Sequence, residues 1–153
     1  MTPAEGVIGR LAELGLTVGT AESLTGGRLV ATLVDVPGAS AVVRGGVVAY
    51  ATELKRSVLG VDAELLESQG PVHPEVARQM AVGACRILGA DVGISTTGIA
   101  GPTSPDGQPI GTVHIGIAGA AGIRIFSLRL TGDREQIRSE SVRRALEAVR
   151  QVI

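Results

Sequence analysis

Among the 14 Lys and Arg residues of the chain, thirteen are Arg and only Lys55 is Lys. Arg keeps its charge in any protein environment, whereas a lysine ammonium can be desolvated until the neutral amine acts as a base. Tyr50, the only Tyr, stands five positions earlier in VVAYATELK. A desolvated Lys beside a Ser is a general-base arrangement for attack by a hydroxyl. Burial lowers the amine's pKa toward the range where it accepts the serine proton, and Tyr50 could donate to a developing oxyanion or a leaving group. The bland reading of the same letters is a surface Lys, a half-buried Tyr and a codon bias that spared one Lys.

The serine for such a base is Ser23, within TAESLTGG at 20–27. A polar, glycine-rich turn between a short apolar strand and a helix aims backbone N–H groups at one spot and stabilises negative charge there. Glu22, Ser23, Thr25, Gly26 and Gly27 are the candidates in this turn, although Ser and Thr also cap helices routinely. The pattern is neither a GxSxG elbow nor a Walker A loop. A second donor-rich stretch is TTGIAGPTSPDGQPIG at 96–111, long for a loop and placed where ligands of open α/β sheets collect. Thr96, Thr97, Gly98 and Gly101 offer hydroxyls and backbone donors suited to a phosphate or carboxylate; a wide surface turn is the alternative. His73 lies in a turn and His114 in a strand without paired spacing, so no His-based zinc site is expected. Cys85 is the only Cys, which leaves no internal disulfide or thiolate cluster. No metal or organic cofactor is called for.

These residues need elements to hold them. Val7, Ile8, Leu11, Leu14 and Leu16 recur at near-helical spacing over residues 3–15, and Gly15 stops the pattern. LTVGTA at 16–21 predicts a short buried strand. A second helix is predicted from Ser23 through Val34, with Ser23 at its entrance. A strand over 42–50 leads into a helical turn at ATELKRSVLGV. Helices over 63–69 and 74–88 follow, the latter with Pro74 at its first position and Gly89 as its stop. ADVGISTTG predicts a third strand, TVHIGIAG and IRIFSLRL a hairpin around 120–122, and residues 133–153 an amphipathic helix. The alternation predicts a three-layer α/β/α sandwich with a mixed sheet of about five strands, a hairpin forcing antiparallel pairing.

Composition narrows the function. The 153 residues suit one domain, 1–153, with 44% hydrophobic residues to build its core. A net charge of −1 and only two aromatic side chains argue against nucleic-acid binding, which wants a basic field and stacking platforms. Apolar runs are broken well before membrane-spanning length and the first residues do not read as a secretory signal, so a cytoplasmic location is expected.

At TAESLTGGRLVATLVDVPGAS the sequence resembles the CinA carboxy-terminal domain family, the nicotinamide-nucleotide amidases. The likeness continues in the family's order through GGVVAYATELKRSVLGV, GPVHPEVARQMAVGA, TTGIAGP and TGDREQIR, covering nearly the whole chain. The resemblance implies a mixed-sheet α/β/α fold and an enzyme that hydrolyses the carboxamide of nicotinamide mononucleotide to nicotinic acid mononucleotide and ammonia, in pyridine nucleotide recycling. It implies a serine nucleophile at Ser23, with the family's Lys at Lys55 and its Tyr at Tyr50. Many members read AESCTGG; here that Cys position is Leu24, which excludes a thiol nucleophile at that place. The amino-terminal domain that some members carry is absent from this sequence, so the second activity associated with it is not expected.

The implied partner is a small-molecule nucleotide, its phosphate held by residues 25–27, by 97–101, or by an Arg such as Arg134 or Arg138. Its pyridinium would rest on Tyr50, Glu22 or simple packing. A homo-oligomer with a shared site is compatible with so small a domain. A non-catalytic nucleotide-binding regulator, or an interaction module for DNA uptake or recombination, are the alternatives from other classes.

Overall fold

A computed structural model describes residues Met1–Ile153. The chain begins with helix α1 (Pro3–Leu14), whose N-cap Thr2 accepts from the Glu5 N–H while Glu5 reaches back to the Thr2 N–H. This reciprocal capping satisfies two otherwise orphaned donors. Gly15 ends α1 in the left-handed conformation, φ 67°. Strand β1 (Val18–Glu22) follows, then α2 (Arg28–Val34), a 3₁₀ turn at Ala39–Ala41 and β2 (Val43–Val48). Next come α3 (Thr52–Ser57), α4 (Ala63–Gln69), α5 (Pro74–Leu88), β3 (Val92–Gly98), β4 (Thr112–Gly119), β5 (Gly122–Arg129) and α6 (Arg134–Val152).

The strands form one sheet in the order β2-β1-β3-β4-β5. β1 pairs in parallel with β2 and β3, while β3–β4 and β4–β5 are antiparallel. The sheet is therefore mixed, as expected, with two antiparallel pairings rather than the single one a hairpin alone demands. Helices α1, α2 and α6 cover one face around a core that includes Leu11, Leu29, Leu33, Ile94, Ile115 and Ile137. On the other face α5 contributes Val76, Met80 and Ala84 to a smaller cluster with Ala21, Leu59 and Val61. The three-layer α/β/α sandwich is thus complete.

Helix α5 lies close against the sheet because two glycines permit it. Gly93 in β3 and Gly116 in β4 sit beneath the backbone carbonyls of Ala81 and Ala77, and a Cβ at either would strike them. From β1 one crossover leads to β2 on one side, and the chain then returns to β3 on the other. Strand order therefore reverses at β1, and the crevice beyond the carboxyl ends of β1 and β3 is where such sheets bind ligands.

One element differs from expectation. The second helix starts at Arg28, not Ser23, and residues 23–27 form a turn. Leu24 is buried in the main core as a turn residue and not on a helix face.

Candidate active site

Ser23 follows the last residue of β1, and its N–H extends the sheet by donating to the Thr96 carbonyl at 3.0 Å. Lys55 lies on α3, one turn after the strand β2 that runs beside β1. This adjacency carries its side chain inward, where the Lys55 Nζ lies 2.9 Å from Ser23 Oγ. Nζ also donates to the Ala49 carbonyl at 2.9 Å. The residue is only 1% exposed, and no salt bridge joins it to a carboxylate. Burial without a counter-charge penalises the ammonium form and brings the Lys55 pKa down from 10.5 to about 8. A neutral amine is then accessible near neutral pH, within reach of a hydroxyl that opens on a cleft.

That cleft has a volume of about 510 Å³, in the range of small-molecule sites. Ser23, Lys55, Tyr50, Thr97, Gly101 and Arg134 all line it. Tyr50 stands at the rim, 60% exposed, and its hydroxyl accepts from Arg134 Nη2 at 3.1 Å. Arg134 Nη1 donates to the Gly101 carbonyl at 2.7 Å, tying the β3–β4 loop to the first residue of α6. Asp133 caps that helix by accepting from the Gln136 N–H, which fixes the turn carrying Arg134.

The family model of the CinA C-terminal domain matches residues 2–153. The chain belongs to this family. A CinA-like protein from Frankia casuarinae is 50% identical over 147 residues, 96% of this chain and 34% of the relative. The chain spans about a third of the length of the curated relatives it matches. Among solved structures, the competence-damaged protein (CinA) superfamily protein from Escherichia coli superposes with a TM-score of 0.95 at 32% identity, over 99% of this chain and 88% of that one. The competence/damage inducible protein CihA from Agrobacterium tumefaciens gives 0.94 at 38% identity, over 98% and 93%.

Within this CinA domain, several residues expected to meet a substrate are turned inward instead. Glu22 is wholly buried and does not line the cleft. Its carboxylate accepts from the Thr20 and Thr25 hydroxyls and from the backbone N–H groups of Gly27, Leu29 and Val30. It is the internal anchor of the Ser23 turn and of the start of α2. Thr25 gives its one hydroxyl proton to Glu22 at 2.7 Å, so Thr96, 2.7 Å away, donates to Thr25. Gly26 and Gly27, with φ of 59° and 98°, shape the turn, and their N–H groups are engaged by the Ser23 carbonyl and Glu22. None of Thr25, Gly26, Gly27 and Thr96 reaches the cleft wall.

Thr96 and Thr97 belong to β3 rather than to the following loop, and alternation sends them to opposite faces. Thr97 does line the cleft, with its hydroxyl donated to the Pro71 carbonyl at 2.7 Å; Gly98 and Gly101 line it too. Arg138 is not on the wall. His73 caps α5 by accepting from the Glu75 N–H, and His114 lies 2.9 Å from the Ser127 hydroxyl. No group of three or more His, Cys, Asp or Glu side chains is arranged to hold a metal, and no helix is long and apolar enough to cross a membrane.

Thr52, Pro71, Val72, Thr103 and Asp106 also line the wall and were not singled out individually in the sequence. Nothing in their types distinguishes them; only the fold brings the start of α3 and the 70–73 turn against the β3–β4 loop. Gln108 Nε2 clamps that loop by donating to the Val72 carbonyl at 2.8 Å and to Asp106 at 3.0 Å.

Proposed function

We propose that this domain is an amidohydrolase that hydrolyses the carboxamide of nicotinamide mononucleotide, giving nicotinic acid mononucleotide and ammonia by a Ser–Lys mechanism. The observation that carries the reading is the buried Lys55 amine, without a carboxylate partner and 2.9 Å from Ser23 Oγ. A structural lysine in such a position would leave the interior with an uncompensated charge. A lysine that works neutral turns that cost into basicity.

Ser23 Oγ attacks the amide carbon while its proton passes to Lys55 Nζ, and the former carbonyl oxygen becomes an oxyanion. As the C–N bond breaks, the ammonium returns the proton to the leaving nitrogen and ammonia departs. Water then adds to the Ser23 ester, with Lys55 accepting its proton. Collapse restores the Ser23 hydroxyl and releases the carboxylic acid. Every proton taken by Lys55 is given back, so no metal or organic cofactor is needed.

Arg134 is the only Arg on the cleft wall and supplies the charged fork for the substrate's phosphate. Asp106, the one carboxylate there, offsets the positive pyridinium. Tyr50 is held by Arg134 and belongs with substrate positioning at the rim, where its proton is free to be donated. The test is incubation with nicotinamide mononucleotide, followed by assay of ammonia and nicotinic acid mononucleotide. Binding without turnover would leave a nucleotide-binding regulator; neither binding nor turnover would remove the nucleotide reading altogether.

A further inference from the structure

The ionisable side chains on the cleft wall are Tyr50, Lys55, Asp106 and Arg134. Arg134 keeps its proton at any working pH, and its terminal nitrogens donate to the Gly101 carbonyl and the Tyr50 hydroxyl. Tyr50 stands exposed at the rim. Asp106 belongs to the β3–β4 loop, where its carboxylate accepts from Ser104 and Gln108. Both histidines lie off the wall, His73 capping α5 and His114 paired with Ser127. Lys55 is therefore the only base in contact with Ser23, and no second group stands ready to activate water.

Acylation of Ser23 changes what Lys55 meets. In the free protein Nζ has two partners, Ser23 Oγ and the Ala49 carbonyl. Once Ser23 is an ester, its oxygen has no proton to give. The next nucleophile must enter the space beside Nζ that ammonia has just left. That space is narrow, since Ser23 is 8% exposed and Lys55 1%. Water attacks there only as Lys55 takes its proton. A neutral amine brings a nucleophilic lone pair with it and sheds its proton after the new bond has formed. The site therefore selects its acceptor by size and holds no group dedicated to water.

We propose that the domain is also an acyl transferase toward small neutral amines, passing the acyl group of the Ser23 ester to hydroxylamine or ammonia as well as to water. The amine nitrogen adds to the ester carbonyl and the bond from that carbon to Ser23 Oγ breaks. Lys55 relays the surplus proton of the amine to Ser23 Oγ, which restores the hydroxyl. Hydroxylamine yields a hydroxamate and ammonia re-forms the amide, with no change of oxidation state. The proposal rests on the acyl-ester reading of Ser23 and Lys55 given above and adds an acceptor class to it.

The test incubates the wild-type chain with nicotinamide mononucleotide and hydroxylamine, and measures ammonia, nicotinic acid mononucleotide and the hydroxamate together. Hydroxamate is expected to form in proportion to hydroxylamine and at the expense of the acid, with ammonia equal to the sum of the two. Ser23→Ala is expected to form neither product and sets the uncatalysed background. O-Benzylhydroxylamine, also a neutral nucleophile but a wide one, is expected to give at least about tenfold less transfer product. Hydrolysis needs neutral Lys55, whose pKa burial brings down to about 8, whereas attack by hydroxylamine does not. Lowering the pH from about 8.5 to about 7, across that value, is expected to raise the ratio of hydroxamate to acid roughly 5- to 10-fold.

Ammonia and acid without hydroxamate overturn the transfer and leave the hydrolase reading standing. No ammonia, acid or hydroxamate removes the nicotinamide reading and the transfer with it. Equal yields from the two acceptors overturn the confinement of attack to the space beside Lys55. A product ratio unmoved by pH puts another base on the water and overturns the proposal as well.

Discussion

Lys55 Nζ and Ser23 Oγ approach to 2.9 Å although 32 residues separate them, and the contact exists because β2 lies beside β1 in parallel register. The parallel pairing puts the carboxyl ends of both strands on the same edge, so the residue after one strand meets the first helical turn after the other. The pair is therefore a product of topology, and the chemistry proposed for it can be tested one group at a time.

Lys55→Arg keeps the charge and removes the base. It is expected to lower kcat for ammonia release by roughly 10²- to 10⁴-fold, and Ser23→Ala to be at least as damaging. A coupled assay for ammonia measures both, and near-normal turnover by Lys55→Arg would end the Ser–Lys proposal.

The pH profile follows from the lowered Lys55 pKa. The amine must be neutral to accept a proton, so kcat/KM is expected to rise with pH and level off above about 8. A profile flat between pH 6 and 9, a range chosen to bracket that value, would assign the base elsewhere.

The same shift has a stability consequence. Between about 8 and 10.5 the unfolded chain binds more protons at Lys55 than the folded one, so this residue makes stability rise with pH across that window. Below about 8 its burial works against the fold. Lys55→Met is therefore expected to melt higher than wild type at pH 7, with the advantage shrinking as pH approaches 10.5; calorimetry at both ends of the window measures it.

Glu22→Gln exchanges an acceptor-only group for one carrying an amide that faces backbone donors. Leaving buried groups unsatisfied costs about 1–3 kcal/mol, so the melting temperature is expected to fall by roughly 2–12 °C. An unchanged melting temperature would mean that Glu22 does not anchor the turn.

Arg134→Ala removes the cleft's phosphate fork while leaving the Lys55–Ser23 pair in place. Losing a charge-assisted contact of about 1.5–3 kcal/mol is expected to raise KM for nicotinamide mononucleotide by roughly 10- to 150-fold. The unphosphorylated riboside is the control, since its KM should rise far less, by only what losing the Arg134 contacts to Tyr50 and Gly101 costs.

The fold was legible where side chains carry the signal. Gly15 and Gly89 mark helix ends because each adopts the left-handed conformation there, and the hairpin between β4 and β5 follows from alternating β-branched residues around a short turn. The uniqueness of Lys55 and Tyr50 led to two residues of the cleft wall for a chemical reason, since a lysine is retained where an arginine could not deprotonate. Less legible was anything that depended on backbone donors. Glu22 reads in sequence as an acid beside a serine, and nothing in the letters shows that three main-chain N–H groups converge on it. The second helix was predicted from Ser23 although it starts at Arg28, because an apolar Leu24 buried in a turn is the same letter as one buried on a helix face. Thr96 and Thr97 fell in both the predicted third strand and the donor-rich stretch after it; β3 takes both, and which of the two hydroxyls faces the cleft depends on strand alternation.

The carboxylate of Glu22 also takes up the main-chain donors that open α2, and the cleft's electrostatics are left to its side chains: Lys55 and Arg134 against Asp106. When Lys55 loses its proton to become reactive, the cleft surrenders one of its two cations. An anionic substrate is then drawn in less strongly by the form of the protein that can transform it. Affinity and reactivity oppose each other across the same titration, so a bound anion holds the Lys55 proton more firmly and kcat is expected to level off at a higher pH than kcat/KM.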